Sequence, residues 1–442
     1  MVSNNAIIQH ATRREADGRR GATPGDPPRR LKLLLMASGC DGTDVGEAAN
    51  SFQWANRLGR RHDVTLLTFR KRNRPSTIPQ LPGVRVIEWL DLPFVGRFER
   101  FDSMLKPGYI SFYVQARRWI KNSLRSGDTF DVAHQVTPAS LRYPSPAAGL
   151  GIPLLIGPVG GSIDNPDGFD SELKSAPWYT KLRLLDEWRL RHDPVLSRSF
   201  ASANCILCVA PYVQSLLGDL PSHDVELMSD NGVTELPPPR TERRGNDGQF
   251  RLLFVGRVIR TKGTRDAIRA IAQLKDKEIE GLTFDVIGDG YDLAACKEEA
   301  EKLGVGNVVK FHGRMARKDI DAYYARADVF LFPSFREPGG IAVFEAMSHG
   351  LALIVADRGG PGFVIDDSCG IRVPVTNPET FAAHIADAIR KLAAAPELVT
   401  AMGIAAREKV GSQFLWDMKI ERIEEIYRRV SVDRGVANSR VA

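Results

Sequence analysis

The chain has 442 residues, 43% hydrophobic and 26% charged, with a mean hydropathy of -0.21. This composition excludes collagen, coiled coil and wholesale disorder, and the length exceeds the ~250–300 residues at which one core stops growing. The net charge of +6 is uneven, because residues 1–150 hold 23 lysines and arginines against 13 acidic residues, a net +10 that leaves −4 for the remainder.

Residues 1–30 contain six arginines and no apolar stretch of the kind a secretory signal needs, so a disordered, solvated arm is expected there. Five cysteines in so long a chain do not make a disulfide framework, and together with the missing signal they point to the cytoplasm. No apolar run approaches the ~20 residues of a membrane span.

From Leu31 onward one unit repeats: a short apolar strand, a Gly-rich turn, then an amphipathic helix. The first strand is Leu31–Ala37, its loop holds Gly39, Gly42 and Gly46, a helix follows over Glu47–Arg60, and the next strand is Asp63–Phe69. Asp44 stands where it can cap that helix. The strands read as continuous apolar runs, as buried parallel strands do. Further strands are predicted at Arg85–Glu88, Val132–Gln135, Pro153–Gly157 and Cys205–Val209. Between them, Phe94–Arg125 mixes aromatics (Phe94, Phe98, Phe101, Tyr109, Phe112, Tyr113, Trp119) with cations (Arg97, Arg100, Lys106, Arg117, Arg118, Lys121, Arg125). Its last four cations form a basic helix face beside Trp119 and Ile120. That pattern suits an anionic membrane surface, or core aromatics under a solvated face. His134 stands at a strand end, where functional residues belong, although a lone histidine is more often structural. Arg142 suits an anionic acceptor or a surface carboxylate. The loop Gly157–Gly161 suits an acceptor wall or a tight turn.

Pro237, Pro238 and Pro239, with the arginines and glycines after them, mark residues 236–249 as a linker. The alternation then restarts: strand Phe250–Val255, helix Gly263–Leu274, strands Thr283–Ile287 and Val308–His312, helix Asp319–Ala327, strand Val329–Phe332, helix Gly340–His349, strand Ala352–Ala356, and a final amphipathic helix over Phe414–Val430. Two sequential α/β halves imply two doubly wound, Rossmann-like domains facing across a cleft, residues 31–235 and 250–414, with ligands beyond the carboxyl ends of the strands.

Gly256 and Arg257 end the strand Phe250–Val255, and Lys262-Gly263 precedes the next helix. Gly256 admits a ligand close to the backbone, Arg257 can fork two phosphate oxygens, and Lys262 adds a mobile charge. Alone, the pair reads equally as solvated cations. Gly288-Asp289-Gly290 permits close approach to a flat ligand and is not the dinucleotide fingerprint. The strongest signal is Pro333–Met347, where Glu337 and Glu345 stand with seven residues between them around Gly339, Gly340 and Ile341. The glycines expose amides at a helix N-terminus, a diphosphate cradle. A carboxylate beyond the cradle suits sugar hydroxyls, and one up the helix suits a ribose diol.

Three further motifs have plain structural readings. Cys205 and Cys208 lie in an apolar strand, three residues apart and therefore on opposite faces. Asp319 and Asp321 resemble a metal-binding DxD but open a polar helix, where acidic residues favour the dipole. His349 follows a helix C-terminus.

Together these residues resemble the family-4 retaining glycosyltransferases of GT-B architecture (glycosyltransferase group 1). The resemblance rests on Gly256-Arg257 with Lys262-Gly263, on Ala327-Asp328-Val329 leading to Pro333-Ser334, on the Glu337/Glu345 pair and on Gly359-Gly360-Pro361. It covers about residues 31–430, specifically in the second half and loosely in the first. It implies that Arg257 and Lys262 grip the donor diphosphate, that Glu337 lies beside the donor sugar, that Glu345 holds the nucleotide ribose, and that the amides at Gly339, Gly340 and Ile341 meet sugar or phosphate. It further implies that Gly46 approaches phosphate or acceptor, that His134 lies near the donor sugar, that Gly288 lines the nucleotide site, and that residues 415–442, with Trp416, cross back to the first domain. The chain departs from the family in Glu337-Pro338-Gly339-Gly340, where many relatives have Glu-Gly-Phe-Gly, in Gly350-Leu351-Ala352 instead of Gly-x-Pro, and in Gly362 instead of a polar residue.

The expected function is a retaining glycosyltransferase that needs neither metal nor cofactor. It would move a hexose from a nucleotide-diphosphate sugar to an acceptor hydroxyl of a lipid-linked or polysaccharide intermediate in bacterial surface glycan assembly. The expected setting is the cytoplasm, peripheral on the inner membrane face. The alternatives are a nucleotide-sugar epimerase and a non-catalytic nucleotide-sugar-binding scaffold. Nothing in the sequence supports nucleic-acid recognition.

Overall fold

The computed structural model describes residues 29–91, 106, 108–173, 186–218, 224–239, 248–274 and 279–439. The expected arm over 1–28 and the expected surface residues Phe94, Arg97, Phe98, Arg100 and Phe101 lie outside the described residues. Arg29 and Arg30, expected in the arm, are instead tied to the first sheet: Arg29 pairs with Asp131 at 3.3 Å and Arg30 with Asp63 at 3.0 Å.

Seven parallel strands form the first sheet in the order β3-β2-β1-β4-β5-β6-β7. They are β1 (Lys32–Ala37), β2 (Asp63–Arg70), β3 (Arg85–Leu90), β4 (Val132–Thr137), β5 (Leu154–Val159), β6 (Cys205–Cys208) and β7 (Asp224–Leu227). The register of β1 on β4 sets Leu33 against Val132 and Leu35 against His134. The second sheet has six strands in the order β10-β9-β8-β11-β12-β13. They are β8 (Phe250–Val255), β9 (Leu282–Ile287), β10 (Val309–Gly313), β11 (Val329–Phe332), β12 (Ala352–Ala356) and β13 (Gly370–Val373). Every central strand is buried on both faces, which is why it reads as an unbroken apolar run. The edge strands β7 and β13 are four residues long with mixed burial, too short and polar to register as strands in the sequence. In both sheets the order reverses beside the central strand, at β1/β4 and β8/β11, and the loops there open into the cleft.

Helix α1 (Glu47–Arg61) buries Asn50, Ser51, Trp54, Ala55 and Leu58 and leaves Arg60 and Arg61 at its C-terminus, where cations suit the dipole. Gly46, not Asp44, precedes it. Asp44 makes no cap, because its carboxylate pairs with Lys71 (3.1 Å) and Arg74 (2.7 Å). Helix α2 (Gly108–Arg125) turns Tyr109, Phe112, Ala116 and Ile120 into the core. Arg117 donates to the carbonyls of Pro146 and Ala148 at 2.9 Å, and Trp119 packs on Phe130 beneath Arg85. Arg117, Trp119 and Ile120 therefore point inward, a correction to the expected basic face. The face left to solvent carries Ile110, Val114, Arg118, Lys121 and Arg125, which fall on one stripe of the helix.

The last helix, α3 (Trp416–Ser439), lies on the first sheet: Trp416, Ile420, Ile423, Ile426, Tyr427 and Val430 join the core built by Leu33, Leu35, Trp54 and Leu58. Trp416 meets Trp54 edge-on at 5.3 Å. Just before α3 the chain pairs with the stretch leaving the first domain, Val233 donating to the Phe414 carbonyl (2.9 Å) and Trp416 donating back to Val233 (3.0 Å). The two passages between domains thus run side by side. Cys205 and Cys208 pack into the clusters on opposite faces of the first sheet.

Candidate functional site

The loops after β8, β9 and β11 meet at one end of the second sheet. Gly256 and Gly288 end β8 and β9 side by side. Gly288 has φ +140°, and a Cβ there would run into the carbonyl of Gly256, so only glycine brings the two strand ends together. Past Gly256 the exposed Arg257 leads into a 3₁₀ turn, Arg260–Lys262, closed by Gly263. Ser334, at the end of β11, donates to the Thr261 carbonyl at 3.3 Å and ties that turn to the neighbouring loop.

Lys262 is buried, and its ammonium is ion-paired with Glu337 beside the ring of Phe332. Burial, and after it the Arg257 guanidinium, push the ammonium down to about 7, while the Glu337 carboxylate works in the other direction. Gly340 (φ +78°) opens helix α4 (Ile341–Ser348), and a Cβ there would press on the Glu337 side chain. No side chain caps the helix at Gly340, so it presents bare amides beside Lys262 and Glu337.

Glu345 sits on the second turn of α4. One oxygen accepts from the Tyr324 hydroxyl at 3.1 Å and the other pairs with Arg317 at 2.8 Å. Burial raises its pKa, opposed by Arg317 and Tyr324. Both partners come from helix α5 (Arg317–Arg326). Neither is signalled in the sequence, because they stand 21 and 28 positions away with nothing to link them to the glutamate. His349 closes α4, and its ring stacks on Tyr324 (5.2 Å) with Asp321 at 3.8 Å.

Across the cleft, Gly46 (φ +67°) begins α1. One turn on, Asn50 donates to Asn231 at 3.0 Å, and Asn231 and Asp230 press against Gly339, where a Cβ would overlap both. Lys419 on α3 donates to the Asn231 carbonyl (3.0 Å) and lies over Trp416 and Trp54. Burial pushes Lys419 down to about 7 and Asp230 up to about 6. This polar knot under Gly339 was not found in the sequence. Its only trace is the Asp230-Asn231-Gly232 turn after an edge strand.

His134 does not join the site. It is 1% exposed, and both ring nitrogens are engaged: Nε2 donates to the Gly157 carbonyl (2.7 Å) and Nδ1 accepts from the Tyr427 hydroxyl (2.6 Å). Burial drives its pKa down to about 4, so the ring is neutral. The expectation that His134 lies beside a sugar is corrected. The side chain points through the sheet to α3. Arg142 likewise pairs with the buried Asp186 (2.6 Å).

With this geometry in place, comparisons are informative. Residues 240–409 match the family described as glycosyl transferases group 1. A glycogen synthase of Mycobacterium tuberculosis is 29% identical over 198 residues, 45% of this chain and 47% of that protein, so the match spans about half of its length. The sucrose-phosphate synthase structure from Thermosynechococcus elongatus superposes with a TM-score of 0.66 at 20% identity, covering 91% of this chain and 100% of that one. The Anabaena HepE structure in complex with UDP-glucose gives 0.58 at 17% identity, over 90% and 100%. Both likenesses show the two-domain GT-B fold.

Proposed function

We propose that this chain, whose second half belongs to glycosyltransferase group 1, is a retaining glycosyltransferase that moves a hexose from a nucleotide-diphosphate sugar to an acceptor hydroxyl. The observation that carries the reading is the meeting of Arg257, Lys262, Glu337 and the α4 amides at one strand end. Lys262 and Glu337 pair with each other. An arriving diphosphate takes over the ammonium and frees the Glu337 carboxylate for the sugar hydroxyls. As the glycosidic bond breaks, negative charge grows on the leaving phosphate, and Arg257, Lys262 and the helix amides stabilise it. The acceptor oxygen attacks from the same face, and its proton passes to the leaving phosphate oxygen. The chemistry asks for no divalent cation, so chelator-treated protein is expected to keep its rate. Glu345, preset by Tyr324 and Arg317, holds the ribose diol.

The acceptor is read as a lipid-linked or polysaccharide intermediate reached at the cytoplasmic membrane face. Support comes from the exposed stripe of α2, where apolar Ile110 and Val114 continue into Arg118, Lys121 and Arg125. No described helix is long and apolar enough to cross a membrane.

A thermal-shift panel of UDP, GDP, ADP and CMP, with and without their common sugars, tests the donor site. HepE's ligand makes UDP the first to try. A shift with one nucleotide, absent in Lys262→Ala/Glu345→Ala, is expected. No shift with any of them overturns the reading.

A further inference from the structure

The loop after β5 leaves the first domain and plugs into the second. Phe169 is fully buried, yet it belongs to the second domain's core, tilted against Phe335 at 4.5 Å and 6.2 Å from Phe381. Leu173 packs on the same core. Nearer the cleft, Asn165 accepts from Arg336 (2.8 Å) and the Asp164 carbonyl from Arg358 (3.0 Å). At the far end Glu172 accepts from Arg260 at 2.6 Å and from Arg269 at 2.9 Å.

Arg260 is the receiving end of this arm. Its guanidinium is wholly buried, forked on Asp266 (2.6 and 2.9 Å), and covered by the rings of Phe169 and Phe335. It also begins the 3₁₀ turn that ends in Lys262. Each half of that turn is therefore held from a different side: Ser334 holds Thr261 from within the domain, and the arm holds Arg260 from the other domain.

We propose that residues 164–173 are a strap by which the first domain sets the Arg257–Lys262 turn, with Arg260 as the positioning residue that transmits its docking to Lys262. Moving the first domain away would pull Phe169 from a close-packed core and strip Arg260 of one carboxylate and one of its two aromatic covers. Closure of the cleft and a correctly set diphosphate turn then occur together, so an open molecule grips its donor poorly. The role assigned to the turn rests on the donor reading above, but the docking does not.

The test uses the full chain with Glu172→Gln, which leaves Arg260 on Asp266 and Arg269 on Glu299, and with Phe169→Ala. Hydrogen exchange of the amides of residues 259–263 in ligand-free protein is the first readout. Exchange faster by about tenfold is expected in both variants, with β8 and β9 unchanged. Unchanged exchange in Glu172→Gln overturns the strap, whatever the nucleotide result. The second readout is UDP affinity against pH. A loosened turn returns Lys262 to solvent and away from Arg257, relieving the burial and the repulsion that hold it down, so the midpoint moves up from about 7. A variant with faster exchange but an unmoved midpoint overturns the transmission to Lys262. If wild-type protein binds no nucleotide while the variants still exchange faster, the donor reading fails and the strap stands.

Discussion

Lys262 gives the donor site a pH dependence whose sign follows from its surroundings. In the free protein burial holds the ammonium at about 7, and a bound diphosphate raises it, because an anion favours the charged form. Below pH 7 the lysine is charged with or without nucleotide and adds no pH dependence to the affinity for UDP. Above pH 7 each binding event takes up a proton, and Kd rises by up to about tenfold per pH unit. The nucleotide's terminal phosphate has a pKa of about 6 and has already ionised there. Calorimetry between pH 6 and 9 in two buffers of different ionisation heat measures both the slope and the proton, and Lys262→Arg is expected to flatten the curve. A flat wild-type profile would remove Lys262 from the diphosphate. At Glu345 the same scale yields a graded pair. Glu345→Ala is expected to raise the UDP Kd by about thirtyfold, and Tyr324→Phe, which only frees one oxygen, by about fivefold. The glutamate was legible because it stands at a fixed spacing beyond a glycine pair. Tyr324 and Arg317 were not, because contact between helices leaves no local pattern.

At the scale of elements, the central strands were legible almost to the residue: β8, β11 and β12 fall where the apolar runs do, because parallel strands buried on both faces must be apolar throughout. The same burial hid the direction of His134. With all six residues of β4 buried, alternation says nothing about which face a side chain takes, and only α3 packing from behind decides it. The link between β4 and α3 makes a stability prediction. His134 has a folded pKa depressed to about 4 from an unfolded value of 6.5, so its contribution is complete above pH 6.5 and is lost as pH falls toward 4. That loss comes to ~3 kcal/mol over the interval. Denaturant midpoints measured from pH 7.5 to 4 are expected to fall more steeply for wild type than for His134→Gln, which cannot titrate. On folded protein below its melting point, kcat/KM of His134→Gln should stay within about twofold of wild type. A thousandfold loss would return the histidine to the reaction.

At the scale of the molecule, two α/β halves and a proline-marked linker were enough to read two domains and a cleft, since each half repeats its own strand-turn-helix unit. What holds the halves together was not readable. Asp230 and Asn231 of the knot and the arm carrying Phe169 and Glu172 lie in irregular segments, where neither period 2 nor period 3.6 marks a buried face, and Lys419 is a cation on a helix, where burial is the exception. The helix proposed for the membrane shows the same limit in milder form. The cations were visible in the sequence, but which of them face solvent depended on Phe130, Pro146 and Ala148 engaging Trp119 and Arg117. The stripe of Ile110, Val114, Arg118, Lys121 and Arg125 is therefore the surface to test. Each cation near an anionic bilayer contributes about 1 kcal/mol, so the three together are worth roughly a hundredfold in partitioning. Sedimentation with vesicles containing 30% anionic lipid (about physiological in charge) should pull down wild-type protein, less so at high salt because the attraction is screened. Arg118→Glu/Lys121→Glu/Arg125→Glu should stay in the supernatant while keeping its UDP affinity, because none of the three lies in the donor site. Equal sedimentation of the two proteins would move the acceptor from a membrane surface to a soluble glycan, and leave the donor chemistry untouched.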